Sequence, residues 1–375
     1  MRLAWLAGLV ATAVALPARA DGWQVGVEAG AEVDSNVDRV EEGTTRPRVT
    51  AALMRGGGRV DGAGRLGATQ YGVTASALTR LGAPGDAAGN GFVDLTASAR
   101  WELPLRARST RVGARGAVHE VLTSGTGAGA RDYTWGLGEA VIALEDGDRR
   151  VTGAAGVRAF HYAPVAGSDW VAPSLGIDLA STLWRGEADD GGDASSLEID
   201  LGYVAERRDY DGYALSSVCE PATALEPECL AATREPRSDL NHRVAAAIVY
   251  TGDRIYSAEY TLTVNDSSSL GQSNLRNRLM LAATSRLPGG VFATVQLTGQ
   301  LDHYPDGFLV DPVIIPNAPP IEDENHSSVS LLASRRLSGR WTAEARWAYW
   351  TSAFSPDALR FERHLVAVGV TWTSR

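Results

Sequence analysis

The stretch ENHSSVS holds the two residue types a hydrolase needs. His326 and Ser328 are two apart, so on a strand they share one face. An imidazole beside a hydroxyl offers a base and a nucleophile. Spacing alone is a weak sign of a catalytic pair, because nothing nearby orients the base. Val329, Leu331 and Ala333 occupy the alternate positions and mark the apolar phase. The pair therefore points the other way, and catalysis is not expected. His119, His161 and His303 are scattered and show no ligand spacing, so neither a metal site nor a cofactor is expected. Cys219 and Cys229 are the only cysteines. In an oxidising compartment they are expected to form a local disulfide across a long polar connection.

The other candidates are charges set inside alternating stretches. In WQVGVEAGAEVDSN, Trp23, Val25, Val27, Ala29, Ala31 and Val33 are apolar, and Glu28, Glu32 and Asp34 lie on the other phase. FVDLTASARWEL repeats the pattern, with Val93, Leu95, Ala97, Ala99 and Trp101 against Asp94, Arg100 and Glu102. Mid-strand charges recur at Arg115, Asp178, Glu198, Asp200, Glu259, Arg276, Arg278 and Arg346. They could line an aqueous channel and tune its selectivity, or pair into a network that seals the interior. Phe160, Tyr162, Trp170, Trp184, Phe292 and Trp350 also fall on the polar phase. Their rings could stack on passing sugars, or pack beneath a folded-in loop.

The elements that position these residues are strands. Period-two segments of about 10 to 15 residues recur between turn signals, and helical periods are scarce. The count is about 16 strands, within a range of about 16–18. With the first strand rising from the periplasm, one set of connections is short: DGAG, PLRA, EDGD, GD, PGG and SG. The other set is longer: 37–46, 83–90, 209–237 and 305–325. RGEADDGGDASS breaks this rule, which implies either an exception or a slip in the count. The apolar phase is rich in Ala, Val and Leu through nearly every strand, and charge sits at mid-strand on the other. A secreted sandwich would not divide its faces this way. Lipid outside and water inside do, because strands crossing a membrane must close to pair every backbone group. The expected fold is all-β: a transmembrane, antiparallel, up-and-down barrel. Trp23, Trp101, Trp341 and Trp372 fall on the apolar phase near the periplasmic ends, as an interfacial girdle would.

Residues 1–20 read as a signal peptide: Arg2, an apolar stretch from Leu3 to Leu16, and Ala18-Arg19-Ala20 as a cleavage site. Residues 21–375 then form the barrel, with no room before Trp23 for a plug or a periplasmic domain. Losing Arg2 and Arg19 takes the net charge from −10 to −12, which argues against nucleic acid as a partner. All 35 basic residues are Arg, a composition that GC-rich coding produces. The acid runs VEEG, EADDGGD and IEDENH fall in connections and read as solvated loops. Oxygen ligands there could also bridge divalent cations to lipopolysaccharide, with no particular site assigned.

Two resemblances follow. Val366, Val368, Val370 and Trp372 alternate towards the C-terminus, similar to the terminal signal read by outer-membrane insertion machinery. That signal usually ends on the aromatic, whereas Thr373, Ser374 and Arg375 follow here. EVDSNVDR resembles the Asp-(Ser/Asp)-Asn-(Val/Ile) signature of outer-membrane β-barrel porins encoded with exopolysaccharide export machinery. The matching residues are Asp34, Ser35, Asn36 and Val37. The resemblance implies an integral protein of a Gram-negative outer membrane, in contact with lipid and lipopolysaccharide. It would translocate a polysaccharide delivered by separate periplasmic export proteins. The alternatives are a passive diffusion porin, a structural barrel with a blocked lumen and, last, a hydrolase. Outer-membrane lipid hydrolases also use a His-x-Ser pair, but aim it at lipid; His326 and Ser328 lie on the opposite phase.

Overall fold

The computed structural model describes residues 22–36, 49–82, 92–105, 109–123, 132–163, 167–186, 195–219, 229–305, 327–352 and 361–374. The leader expected at 1–20, His326, and most of the residues of the longer connections lie outside the described residues.

Sixteen antiparallel strands form one closed barrel, each paired with its neighbours in sequence and the last with the first. The first eight are β1 (Trp23–Asp34), β2 (Ala51–Leu66), β3 (Thr69–Gly82), β4 (Phe92–Pro104), β5 (Thr110–Thr123), β6 (Tyr133–Asp146), β7 (Arg149–Tyr162) and β8 (Trp170–Arg185). The second eight are β9 (Ser196–Ser217), β10 (Leu230–Thr251), β11 (Arg254–Ser267), β12 (Asn274–Leu287), β13 (Val291–His303), β14 (Ser327–Arg336), β15 (Trp341–Ser352) and β16 (Phe361–Thr373). Closure leaves no free strand edge, which is what a sheet in hydrocarbon requires. Among the described residues no helix is long and apolar enough to cross a membrane, which says nothing about strands.

Register decides which phase faces out. Val27 lies opposite Trp372, and Trp372 opposite Trp341. Leu281 lies opposite Leu297. Val27, Trp341, Leu281 and Leu297 belong to a broad outer set of exposed Val, Leu, Ile and Trp, and Trp372 on the same phase is partly exposed. The inner phase carries most of the mid-strand charges, and it buries polar groups such as Glu139, Glu206 and Asp239 beside small and aromatic ones such as Ala172 and Phe160. An apolar outside and a polar inside invert the plan of a soluble β protein.

Two local expectations are corrected, and one open alternative is decided. DGAG is not a turn: Asp61–Gly64 continue β2, and the chain reverses at Gly67, whose φ of 62° needs a glycine. The DGAG glycines instead seat aromatic rings, since a Cβ at Gly62 would lie 2.7 Å from the Trp23 ring and one at Gly64 would lie 2.6 Å from the Tyr71 hydroxyl. Residues 209–237 are not mainly loop, because β9 and β10 each run 22 residues and carry the hairpin well past the other strands. Its pairing shifts around Pro236, which has no N–H to offer the ladder. Cys219 and Cys229 are bonded across its tip. The third point is the long connection after β8. It joins Arg185 to Ser196 on the short-turn side, and the strand count holds around it.

Candidate functional site

The inner wall is built by register. Glu28 and Glu32 on β1 share a phase with Asp34, and Arg55 of β2 and Arg80 of β3 reach them at 3.0 Å each. On the opposite wall a chain of charges crosses from β5 to β9. Arg115 contacts Glu139 at 2.5 Å, Glu139 lies 3.6 Å from Arg158, and Arg158 contacts Glu206 at 3.1 Å. Glu206 also pairs with Arg208. Arg158 passes over β8 because Ala172 and Ser174 there are small and buried. Asp178 of β8 lies 3.9 Å from Arg115. On β12 and β13, Arg276 forks onto Asp302 at 2.8 and 3.0 Å. Asp239, fully buried, is held by Arg237 at 2.5 Å and Asn265 at 3.1 Å. Nearer the short turns, Arg150 joins Glu102 at 2.6 Å and Glu145 at 3.1 Å.

Other inner charges have no such partner. Among the described residues, Arg100, Glu198, Asp200, Arg243 and Glu259 make no ion pair within 4.0 Å; Glu198 and Glu259 have only hydroxyl contacts, from Ser196 and Thr261. Arg243 and Glu259 border a polar cavity of about 600 Å³, shared with Asp178, Glu206 and Arg278. A charge without a counter-ion is costly in a dry interior and cheap in water. Water around these groups would leave their charges inexpensive.

Of the residues expected in the lumen, Glu28, Glu32, Arg100, Arg115, Asp178, Glu198, Asp200, Glu259, Arg278, Arg346 and Trp350 lie on the inner phase of the register. Trp184 does not. A bulge between Thr182 and Trp184 places it opposite Leu197, an outward residue. The extra residue shifts the phase of the strand end, and Trp184 stands half exposed on the outside beside the short-turn rim. It joins Trp23, Trp101, Trp341 and Trp372 there. Trp350 faces inward but is only 5% exposed, with the Arg363 guanidinium 4.8 Å from its ring centre.

The other inner aromatics form a packed arc. Tyr133, Phe160 and Trp170 follow one another at 5.9 and 5.8 Å, and Arg208 lies 4.8 Å over Trp170. Tyr133 and Phe160 are each 6% exposed, so their faces meet protein. Phe292 lies on the inner phase at the other end, half exposed. Ser328 faces inward between Thr298 and Trp350, neither of which is a base.

Glu139, Arg158, Glu206 and Asp239 were not singled out from sequence, although each lies on the polar phase of its strand. The signal was the same alternation, in YTWGLGEAVIAL and RVTGAAGVRAFHY. What sequence hides is which of them meet.

Closed strands, an apolar outer wall, an aromatic rim and a charged interior define an integral β-barrel of the outer-membrane kind. No protein-family model matches the chain, and no curated protein matches it. Among solved structures the chain is similar to OprB of Pseudomonas putida, with a TM-score of 0.48, 12% identity and 94% of each chain covered. It is also similar to OccK1 (OpdK) of Pseudomonas aeruginosa, with a TM-score of 0.42 and 10% identity over 94% of this chain and 99% of that one. A third is OmpT, an outer membrane protein of Vibrio cholerae, with a TM-score of 0.40 and 10% identity over 94% of this chain and all of that one.

Proposed function

We propose that this barrel is a passive channel for small hydrophilic solutes across the outer membrane of a Gram-negative bacterium. The observation that carries it is the set of unpaired inner charges, Arg243 and Glu259 beside the polar cavity and Asp200 one strand away. They are stable only in water, and a water-filled barrel conducts. Charges of both signs on one wall filter solutes by charge without holding one tightly. On this reading the outer wall meets lipid and lipopolysaccharide, and the last strand is offered to the insertion machinery. The test is conductance of the purified protein in planar bilayers. Stepwise, ion-permeable insertions are expected; a folded barrel that conducts nothing would leave only a structural role.

Polysaccharide export is the second reading. The EVDSNVDR resemblance favours it. It is ranked second because two aromatics expected to form the sugar track do not offer free faces: Trp184 turns to lipid and Trp350 packs under Arg363. Export would need periplasmic partners to deliver the polymer. A deletion strain that synthesises repeat units but shows no surface polysaccharide would favour it. Normal surface polysaccharide with slower solute uptake favours the passive channel.

A further inference from the structure

The outer wall is not uniformly smooth. Over β9 to β13, towards the short turns, it holds an apolar groove of about 420 Å³. Two adjacent rows of the sheet build it. In the first, Ile248, Ala258, Leu281 and Leu297 lie side by side, so that Ala258 is a gap between larger neighbours. In the second, Tyr250, Tyr256, Ala283 and Val295 do the same, with the gap at Ala283. The two alanines make a furrow running obliquely down the wall.

The lower end of the furrow changes chemistry. The Tyr250 and Tyr256 rings stand 6.2 Å apart. A Cβ at Gly252 would lie 2.8 Å from the Tyr250 hydroxyl, so that ring bends over the turn towards the water side. Arg254 follows, exposed and on the same outward phase as Tyr256, with Ser285 opposite it in the ladder. Asp253, in the turn itself, is the acid beside them. The order along the wall is thus apolar furrow, paired tyrosines, then a cation with a hydroxyl. Acyl chain, interface and phosphate succeed one another in the same order in one leaflet.

We propose that this groove binds one glycerophospholipid of the periplasmic leaflet, its acyl chain in the Ala258–Ala283 furrow and its phosphate at Arg254. The inference rests on the outer-membrane reading and goes beyond the channel, since every group named lies outside the lumen. Side chains of the outward phase have only lipid to meet in a membrane, and the furrow opens towards the periplasmic leaflet. Lipid A also carries phosphate and acyl chains, but it belongs to the other leaflet.

The test is native mass spectrometry of the detergent-extracted protein, titrated with phosphatidylethanolamine and with phosphatidylglycerol. Wild type is expected to hold one phospholipid through delipidating washes. Reversing the charge with Arg254→Glu is expected to lower retention about tenfold, the factor one charged hydrogen bond carries, and filling the furrow with Ala258→Leu and Ala283→Leu is expected to lower it by excluding the acyl chain. Heat-modifiable mobility on gels checks that each variant is folded. Equal retention by folded wild type and furrow-filled protein overturns the proposal, as does lipid A as the bound species or binding of detergent only. If the outer-membrane reading itself fails, the protein stays soluble without detergent; if only this site fails, it still needs detergent and conducts but holds no lipid.

Discussion

Asp34 on the first strand and Arg363 on the last hold each other across the seam of the barrel. The Arg363 Nη2 donates to Asp34 at 2.5 Å and its Nε at 3.0 Å, and both side chains are 1% exposed. The contact is the centre of a clasp. Ser35 donates its backbone N–H to the His364 carbonyl at 2.9 Å, and its hydroxyl accepts from the His364 N–H at 2.8 Å. Asn36 reaches the Glu362 carbonyl at 3.1 Å, and Asp34 accepts the Asn36 N–H at 3.0 Å. Asp34-Ser35-Asn36 therefore joins the ends of the sheet, a role that accounts for these three residue types without any ligand.

Removing one side of the clasp should be costly. Asp34→Ala leaves a buried guanidinium without its counter-ion, for a loss of about 3–5 kcal/mol. Urea titration of the folded barrel, or its heat-modifiable mobility, reads the effect. Arg363→Met in the same chain should recover much of the loss, because no lone charge then remains. Similar stability of Asp34→Ala and wild type would show that the clasp does not hold the seam.

The two faces can be tested at neighbouring residues of β13. Leu297 faces out and is 44% exposed; Gln296 faces in, near Met280. Leu297→Arg should cost about 2–4 kcal/mol near the bilayer centre and impair assembly in vivo. Gln296→Arg should assemble normally. The reverse order would mean that the register is shifted by one.

Trp184→Ala separates the rim from the lumen. As an outward ring at the membrane interface, its loss should lower thermal stability and leave single-channel conductance unchanged. Altered conductance with unchanged stability would return Trp184 to the lumen.

Selectivity should follow the unpaired charges, with opposite signs. Asp200→Asn with Glu259→Gln should move the reversal potential in a salt gradient towards anion preference, and Arg243→Ala towards cation preference. Both shifts should shrink as salt rises above about 0.1 M, where the Debye length falls below roughly 10 Å. No shift for either variant at low salt would place these groups off the conduction path.

The disulfide should act locally. It closes a short segment, 10 residues in sequence separation, at the tip of the β9–β10 hairpin, beyond the ends of the other strands. Cys219→Ser with Cys229→Ser should speed proteolysis at the tip and leave barrel unfolding unchanged. Mapping of non-reduced peptides should recover the pair as one species.

The alternation of side chains marked the strands and put their number at about 16 to 18, because a strand between lipid and water must change character at every residue; closure of the barrel decided on sixteen. It also determined which mid-strand charges face inward, from Glu28 on β1 to Arg346 on β15. The short and long connections distinguished the two rims. Tertiary structure decided what period two cannot carry. A single bulge reversed the phase of Trp184, since one extra residue moves every later side chain to the other face. Gly62 and Gly64 look like turn residues and are seats for Trp23 and Tyr71, a role that exists only once β1, β2 and β3 are aligned. The ion pairs depend on distances across the sheet: Arg158 reaches Glu206 only because β8 is small where it crosses. Asp34 and Arg363 lie 329 residues apart, and only closure of the barrel makes them neighbours.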